Sequence, residues 1–298
     1  MTMKHITDAL LSAVCAGMKV CMDERSRCTV SFKPLHKVAC PQVAIASQIV
    51  TSADLAVQEA ILESLLNAGL GNCLLEAEEE TPSVSRFTAG PNGCTIFVDP
   101  IDGTLTYSLG CAHWAEAAAQ AGFSATVIEQ TMLKTDPSLY GIVVGASVPD
   151  DGLVAICALP ELGTVFHMSG DRVFRNGAPF KYSGAPKPTR IVIGRRLLDP
   201  DGNSAPFAAR GIEVRWFSGS APGVLRWILE DDCTGYTGLE CLFDIQLAAL
   251  IARCLGFIVT DRRGRPFVPT LHGVVDGIVI ASTADESAKI IEALQQYD

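Results

Sequence analysis

The chain has 298 residues, 48% hydrophobic and only 19% charged, enough apolar material for one large core or two closely packed domains. Its net charge of −10, from 23 basic and 33 acidic side chains, argues against a nucleic-acid backbone as partner. A small phosphorylated molecule stays compatible with that charge if cations screen the acids.

Eleven cysteines lie between Cys15 and Cys254 with no C-x-x-C pair. That pattern fits small buried thiols in a reducing compartment better than a disulfide framework or a zinc site. No secretory leader opens the chain and no apolar run approaches roughly 18 residues, so a soluble, cytoplasmic protein with no membrane contact is expected.

Ile6, Leu10, Leu11, Val14 and Met18 recur at helical spacing and predict an amphipathic helix over 6–20. Residues 28–50 hold two prolines and no clear period, which reads as a loop with a short strand, mobile over the site. Thr51-Ser52-Ala53-Asp54 matches a capping box ahead of Val57, Ile61 and Leu65, and Gly69 and Gly71 end that helix. Asp54 either caps this helix alone or caps it and also serves chemistry. Cys73-Leu74-Leu75 is a short strand that runs into Glu76-Ala77-Glu78-Glu79-Glu80.

The next stretch, Thr95-Ile96-Phe97-Val98-Asp99-Pro100-Ile101-Asp102-Gly103-Thr104, is a buried strand ending in two carboxylates and a turn. Pro100, without an N–H, and Gly103, suited to turns, should stop the strand. Asp99 and Asp102 then stand at the carboxyl end of a strand, where open α/β sheets bind ligands. Carboxylates this close repel unless a positive ion lies between them, and a hard, oxygen-seeking cation such as Mg²⁺ fits.

The segment 105–139 follows, with an alanine-rich helix around 115–121. Strands over 140–145, 153–156, 164–167 and 172–174, with an Asn176-Gly177 turn, make an antiparallel part. Ser183-Gly184-Ala185-Pro186-Lys187-Pro188 is the linker candidate, dividing the chain into 1–185 and 186–298. Beyond it come strands over 190–194 and 211–217, a helix from Gly219-Ser220-Ala221 to Leu229, and a helix from Asp244 to Gly256. Strands over 257–260 and 277–281 and a last helix boxed by Ser282 and Asp285 complete the alternation, which implies an α/β layered sandwich with an α+β N-terminal part.

Several chemistries drop out. There is no G-x-x-x-x-G-K-[ST] loop and no G-x-S-x-G elbow. His5, His36, His113, His167 and His272 show no metal-ligand spacing. Asp102-Gly103-Thr104-Leu105 is similar to the nucleophile motif of haloacid-dehalogenase phosphatases, but Pro100 occupies the place of their attacking aspartate.

The acids together resemble the lithium-sensitive, Mg²⁺-dependent inositol monophosphatase superfamily, which includes inositol phosphatases, bisphosphate nucleotidases and fructose-1,6-bisphosphatases. The residues that carry the resemblance are Asp54, Glu78-Glu79, Asp99-Pro100-Ile101-Asp102-Gly103-Thr104, Gly219-Ser220-Ala221 and Phe243-Asp244. It implies an α-β-α-β-α sandwich of the sugar phosphatase type, with a metal-binding domain over 1–185 and a second domain that completes the site with Asp244.

By the same resemblance, one Mg²⁺ would be held by Glu78 or Glu79, Asp99 and the Ile101 carbonyl. A second would be held by Asp99, Asp102 and Asp244, for two or three ions per subunit. The implied reaction is hydrolysis of a small phosphorylated metabolite by metal-activated water, an inositol phosphate being the first choice. Thr104 would orient the water, Asp54 would take the threonine proton, and Glu78 would assist. Gly103, Thr104, Ser220 and Asp244 would contact substrate, and the subunit would pair as a homodimer.

The chain also departs from the family pattern. Phe243 replaces a tryptophan, Gln246, Leu247 and Phe257 replace small residues, and Thr237 stands in place of a glutamate that contacts the inositol ring. The 105–139 insertion is similar to the polyphosphate 1-phosphatase and nucleotidase branches, for which Lys187, Arg195, Arg196 and Arg226 are candidates to meet a second phosphate. The alternatives are therefore a 3′(2′),5′-bisphosphate nucleotidase, a fructose-1,6-bisphosphatase, or a catalytically weak member that binds metal or metabolite.

Overall fold

The computed structural model describes residues 2–32, 49–90, 93–149, 152–184, 189–194, 197, 204–216, 219–230 and 233–297. Helix α1 (Met3–Glu24) starts at Thr2, whose hydroxyl accepts the His5 amide, and outruns the predicted 6–20 at both ends. By length and apolar content it is the one described helix that could cross a membrane, which corrects the expectation that no run comes near. Small apolar residues between its charges raise its mean hydropathy, but its stripe of Ile6, Leu10, Val14 and Cys21 is buried against α2 (Ser52–Asn67) and the larger sheet.

Strands β1 (Val30–Phe32) and β2 (Ile49–Thr51) pair antiparallel, and β2 runs directly into α2. The loop expected between them lies outside the described residues.

The larger sheet orders β3 (Leu74–Ala77), β4 (Thr95–Asp102), β5 (Gly141–Val148), β6 (Gly152–Leu159), β7 (Thr164–Ser169), β8 (Arg172–Arg175) and β9 (Ala178–Pro179) in sequence. Only β3 and β4 run parallel; the others form an antiparallel meander whose last turn is Asn176-Gly177, both at positive φ. Pro100 does not end β4. The pairing moves from Asp99↔Val143 to Asp102↔Gly141, so β4 carries one extra residue in a bulge, where a missing N–H costs no ladder bond. Helices α3 (Thr104–Ser108), α4 (Trp114–Gln120) and α5 (Ala125–Lys134) occupy the insertion.

The second sheet comprises β10 (Arg190–Ile193), β11 (Glu213–Trp216), β12 (Gly235–Cys241), β13 (Ile258–Asp261) and β14 (Val275–Ala281), in the order β11-β10-β12-β14-β13. Its central strand, β12, was not predicted, because Gly235 and Gly238 dilute its apolar pattern. Gly235 is needed there: a Cβ would lie 2.3 Å from the Ile280 carbonyl oxygen. Helix α6 (Ala205–Ala208) precedes β11, and α7 (Ala221–Glu230) and α8 (Phe243–Cys254) flank β12 in sequence. Helix α9 (Ala284–Leu294) is capped one residue later than predicted, by Thr283 on the Glu286 amide, while Glu286 takes the Ser282 amide and hydroxyl.

Strand alternation builds the layers. On β5, Ile142, Val144 and Ala146 face the cluster of α1 and α2, while Val143 faces that of α7 and α8. In the second sheet Ile278 and Ile280 share the core with α7 and α8, and Ile191, Ile193, Val279 and Ala281 pack with Ile290 and Leu294 of α9. The order is thus helix, sheet, helix, sheet, helix. The all-thiol expectation needs one correction: Cys28, just past α1, is disulfide-bonded to Cys111, just past α3, with Cα atoms 6.1 Å apart. Eight other described cysteines are free. Residues 185–188 of the expected linker lie outside the described residues.

Candidate active site

The bulge and the turn after it bring three acids together. Asp99 and Asp102 end β4, and Asp244 lies in the first turn of α8; one carboxylate oxygen of each falls within 4.8 Å of the others. Gly103 turns the chain at φ +85°, and a Cβ there would meet the Ser220 Cβ at 2.9 Å and the Gly219 carbonyl oxygen at 3.0 Å. Glycine therefore lets the end of β4 close onto the start of α7. The Ala221 amide donates to Asp102 Oδ2, so the positive end of α7 faces this carboxylate. The Ser220 hydroxyl oxygen accepts the Gly223 amide at 3.0 Å and caps the same helix.

Asp99 is buried, and its Oδ1 has no hydrogen-bond partner among the described residues. Burial, followed by the charges of Glu78, Asp102 and Asp244, pushes its carboxyl well above the usual range. Glu78 is brought beside Asp99 because β3 lies parallel to β4, with the Glu78 amide donating to the Val98 carbonyl at 3.1 Å. The Glu79 backbone is fixed by Gln58: its amide donates to Gln58 Oε1 at 3.0 Å, and Gln58 Nε2 donates to its carbonyl. Hard oxygen donors around an orphaned, buried carboxylate oxygen suit a cation of the Mg²⁺ type.

Asp54 supplies the next contact. It is 2% exposed, and its Oδ2 accepts the Thr51 amide at 2.8 Å and the Thr51 hydroxyl at 2.6 Å. Its Oδ1 accepts the Thr104 hydroxyl at 3.3 Å, and that hydroxyl also lies 3.1 Å from the Ile101 carbonyl oxygen. Burial raises the Asp54 pKa to about 7; the Thr51 hydrogen bonds oppose the rise, and the charges of Glu78 and Glu79 add to it.

The unusual residues on α8 leave Asp244 in the cluster. Phe243 packs on Phe97 at 5.6 Å between centroids. Gln246 is fully buried and satisfied: its Nε2 donates to the Cys241 and Gly273 carbonyls, and its Oε1 accepts the Thr270 and Leu271 amides. Leu247 is received by Gly145, where a Cβ would lie 2.7 Å from Leu247 Cδ1. Phe257 packs on Tyr182 at 4.8 Å between centroids, and Thr237 donates to the Ile278 carbonyl at 3.0 Å.

Of the second-phosphate candidates, Arg226 pairs with Glu230 at 3.0 Å, and Lys187, Arg195 and Arg196 lie outside the described residues. His5, His113 and His272 meet Ala68, Glu116 and Glu76, and His167 stacks on Phe174; His36 is outside the described residues. Sequence reasoning missed Gln58 and took Gln246 only as a departure from the family pattern, and the signal for both was a polar residue on the buried face of an apolar helix.

A model of the inositol monophosphatase family matches residues 4–298. The chain belongs to this family. It is accordingly a phosphatase, and the family is metal-dependent. No curated protein matches the chain significantly. Solved structures with the same fold include the extragenic suppressor protein SuhB of Bartonella henselae, at 16% identity and TM-score 0.70 over 98% of each chain. The inositol monophosphatase of Anabaena (Nostoc) is 19% identical, with TM-score 0.64 over 98% of this chain and 96% of its own. An inositol monophosphatase/NADP phosphatase complexed with NADP and Ca²⁺ is 15% identical, with TM-score 0.67 over 99% and 96%.

Proposed function

We propose that this member of the inositol monophosphatase family is a Mg²⁺-dependent monoesterase of a small phosphorylated metabolite. The observation that carries the reading is the convergence of Asp99, Asp102 and Asp244, from opposite halves of the chain, to within 4.8 Å. Glu78, Asp99 and the Ile101 carbonyl would hold one cation, and Asp99, Asp102 and Asp244 another, within a set of two or three. Glu78 is assigned ahead of Glu79 because its charge acts on Asp99 directly. Bound cations would neutralise phosphate charge and lower the pKa of a water.

The protein's own groups do the rest. Thr104 donates its hydroxyl proton toward Asp54 Oδ1, which leaves the Thr104 oxygen able to accept a proton from an attacking water. Asp54, locked by Thr51, is the terminal acceptor and needs no movement to serve. The Ala221 amide holds Asp102, while the Gly103 turn and Ser220 shape the phosphate side. The accommodation of Gln246 and Leu247 supports an active enzyme over a catalytically weak one. A neighbour complexed with NADP and Ca²⁺ supports a phosphate ester bound together with divalent cations. The eight free thiols among the described residues, against one disulfide, favour a cytoplasmic setting, and a homodimer is the assembly we assign by family, measurable by sedimentation.

Phosphate release from a panel of small phosphate monoesters with Mg²⁺ tests the reading. Turnover that is lost on chelation and collapses in Asp102→Asn is the expected result. No release from any ester at high enzyme, or full activity in Asp102→Asn, would overturn it.

A further inference from the structure

Strand β3 brings Glu78 to the acids but does not hold it there alone. Its pairing with β4 ends at Ala77↔Val98, after which the Glu78 amide makes one more bond, to the Val98 carbonyl at 3.1 Å. Gln58 of α2 takes over at the next residue. Its Oε1 accepts the Glu79 amide at 3.0 Å, and its Nε2 donates to the Glu79 carbonyl and, at 3.2 Å, to the Thr81 hydroxyl oxygen. Both donors of the side-chain amide and its acceptor are in use. The peptide before Glu78 is therefore tied to Val98 and the peptide after it to Gln58. Clamped on both sides, the residue has the direction of its Cα–Cβ bond set, and its charge acts on Asp99.

The clamp stands one turn beyond Asp54 on the same buried face of α2. Gln58 is fully buried there beside Val57, Ile61 and Leu62. An amide in such company weakens a fold unless each of its polar atoms is paired, and an apolar residue would serve the core without that demand. The loop also has a plain anchor to the same helix. The Ser83 hydroxyl lies 2.7 Å from Glu59 Oε1 and 2.9 Å from Glu63 Oε1, and the Ser83 amide donates to Glu59 Oε2 at 3.2 Å. That tie is as buried as the first but falls farther along the chain, past Pro82.

We propose that Gln58 is a positioning residue for the cation site. By holding the peptide between Glu78 and Glu79 it aims the Glu78 carboxylate at the cation shared with Asp99, and so sets the affinity for divalent metal. The proposal rests on the reading of Glu78 as a ligand. Gln58 acts through Glu78, its own amide being occupied by Glu79 and Thr81.

The probe is Mn²⁺, a hard cation suited to the same oxygen ligands. It is titrated into the metal-free full chain without any ester, and the free ion is read by its solution EPR signal. Gln58→Met keeps the length of the side chain and removes its three hydrogen bonds. Its Kd for Mn²⁺ should lie about 10–100-fold above the parent's, the scale found for groups that orient metal ligands. Ser83→Ala, which cuts the other tie between α2 and this loop, should lower Tm and leave Kd at the parent's value. In a Glu78→Gln background, adding Gln58→Met should raise Kd far less than it does in the parent, because both changes act on one ligand. If circular dichroism shows Gln58→Met unfolded, Thr81→Val replaces it, since it removes one partner of the Gln58 amide and should raise Kd severalfold.

A parental Kd in folded Gln58→Met, or in Thr81→Val where that variant replaces it, would overturn the proposal. So would an equal rise in Ser83→Ala, an undiminished effect in the Glu78→Gln background, or a parent that binds no Mn²⁺. If Kd shifts as expected yet no ester is hydrolysed, the positioning role stands and the phosphatase reading falls. If esters are hydrolysed with Mg²⁺ while Gln58→Met binds Mn²⁺ as the parent does, the reverse holds.

Discussion

The two oxygens of Asp54 have different partners, and the difference makes the residue testable. Oδ2 is taken by Thr51, which fixes the start of α2, and Oδ1 faces the Thr104 hydroxyl. In Asp54→Asn the amide oxygen can keep the Thr51 contact while the NH₂ faces Thr104, so the threonine must accept where it now donates. We expect kcat to fall by about 10²–10³-fold with KM little changed, read from steady-state kinetics. The pH profile gives an independent check. Burial places this carboxyl at about 7 without cations, and it acts as a base only when ionised, so activity should rise with pH through its pKa. Cations bound beside it would stabilise the carboxylate and set the acidic limb below pH 7. Asp54→Asn should lose that limb, and a limb that survives would assign the base to another group.

Helix α8 and strand β5 meet through a large residue on one side and none on the other. Leu247 fills the space over Gly145, with its methyl carbons 2.7 and 2.9 Å from where a Cβ would sit. Gly145→Ala should therefore destabilise by about 1–3 kcal/mol through overpacking, and Leu247→Ala alone by about 2–5 kcal/mol through its cavity. The double variant should be more stable than the sum of the two losses by about 0.5–3 kcal/mol, seen in denaturant midpoints. The Val154 carbonyl at 3.0 Å from the same point limits the recovery, and strict additivity would show that the two residues do not share this space. Such pairing sets the limit of what a sequence reveals. Most helices and the meander followed from apolar period and turn residues, both local signals. The bulge at Pro100, strand β12 with its two glycines, and the exchange of bulk between Leu247 and Gly145 depend on neighbours far along the chain. The acids were legible one by one, but their separations and the Ala221 amide on Asp102 are set only when β4, α7 and α8 pack.

Across the whole molecule, these acids join the two halves of the chain at a cost that cations would relieve. Asp99 carries a carboxyl well above the usual range, and Asp54 one near 7 against an ordinary 3.8. The sign follows from linkage. Each group binds its proton more tightly folded than unfolded, so its contribution to stability is complete below the unfolded pKa and is lost as pH rises through the folded one. For Asp54 that window runs from about 4 to about 7, and for Asp99 it opens at the same low end and runs well above it. Without metal, the protein should become less stable between pH 6 and pH 8. A divalent cation binds the ionised form, so Mg²⁺ should raise Tm more at pH 8 than at pH 6, by about 3 kcal/mol of stability at a hundredfold excess over Kd. Asp99→Asn removes one buried charge from the cluster, and the metal-free variant should melt above the parent at pH 8 and lose most of the Mg²⁺ response. Thermal melts of both proteins at the two pH values, with chelator and with Mg²⁺, measure all of this. A parent that is equally stable at both pH values in chelator, and indifferent to Mg²⁺, would mean that the three aspartates do not form a strained cation cage.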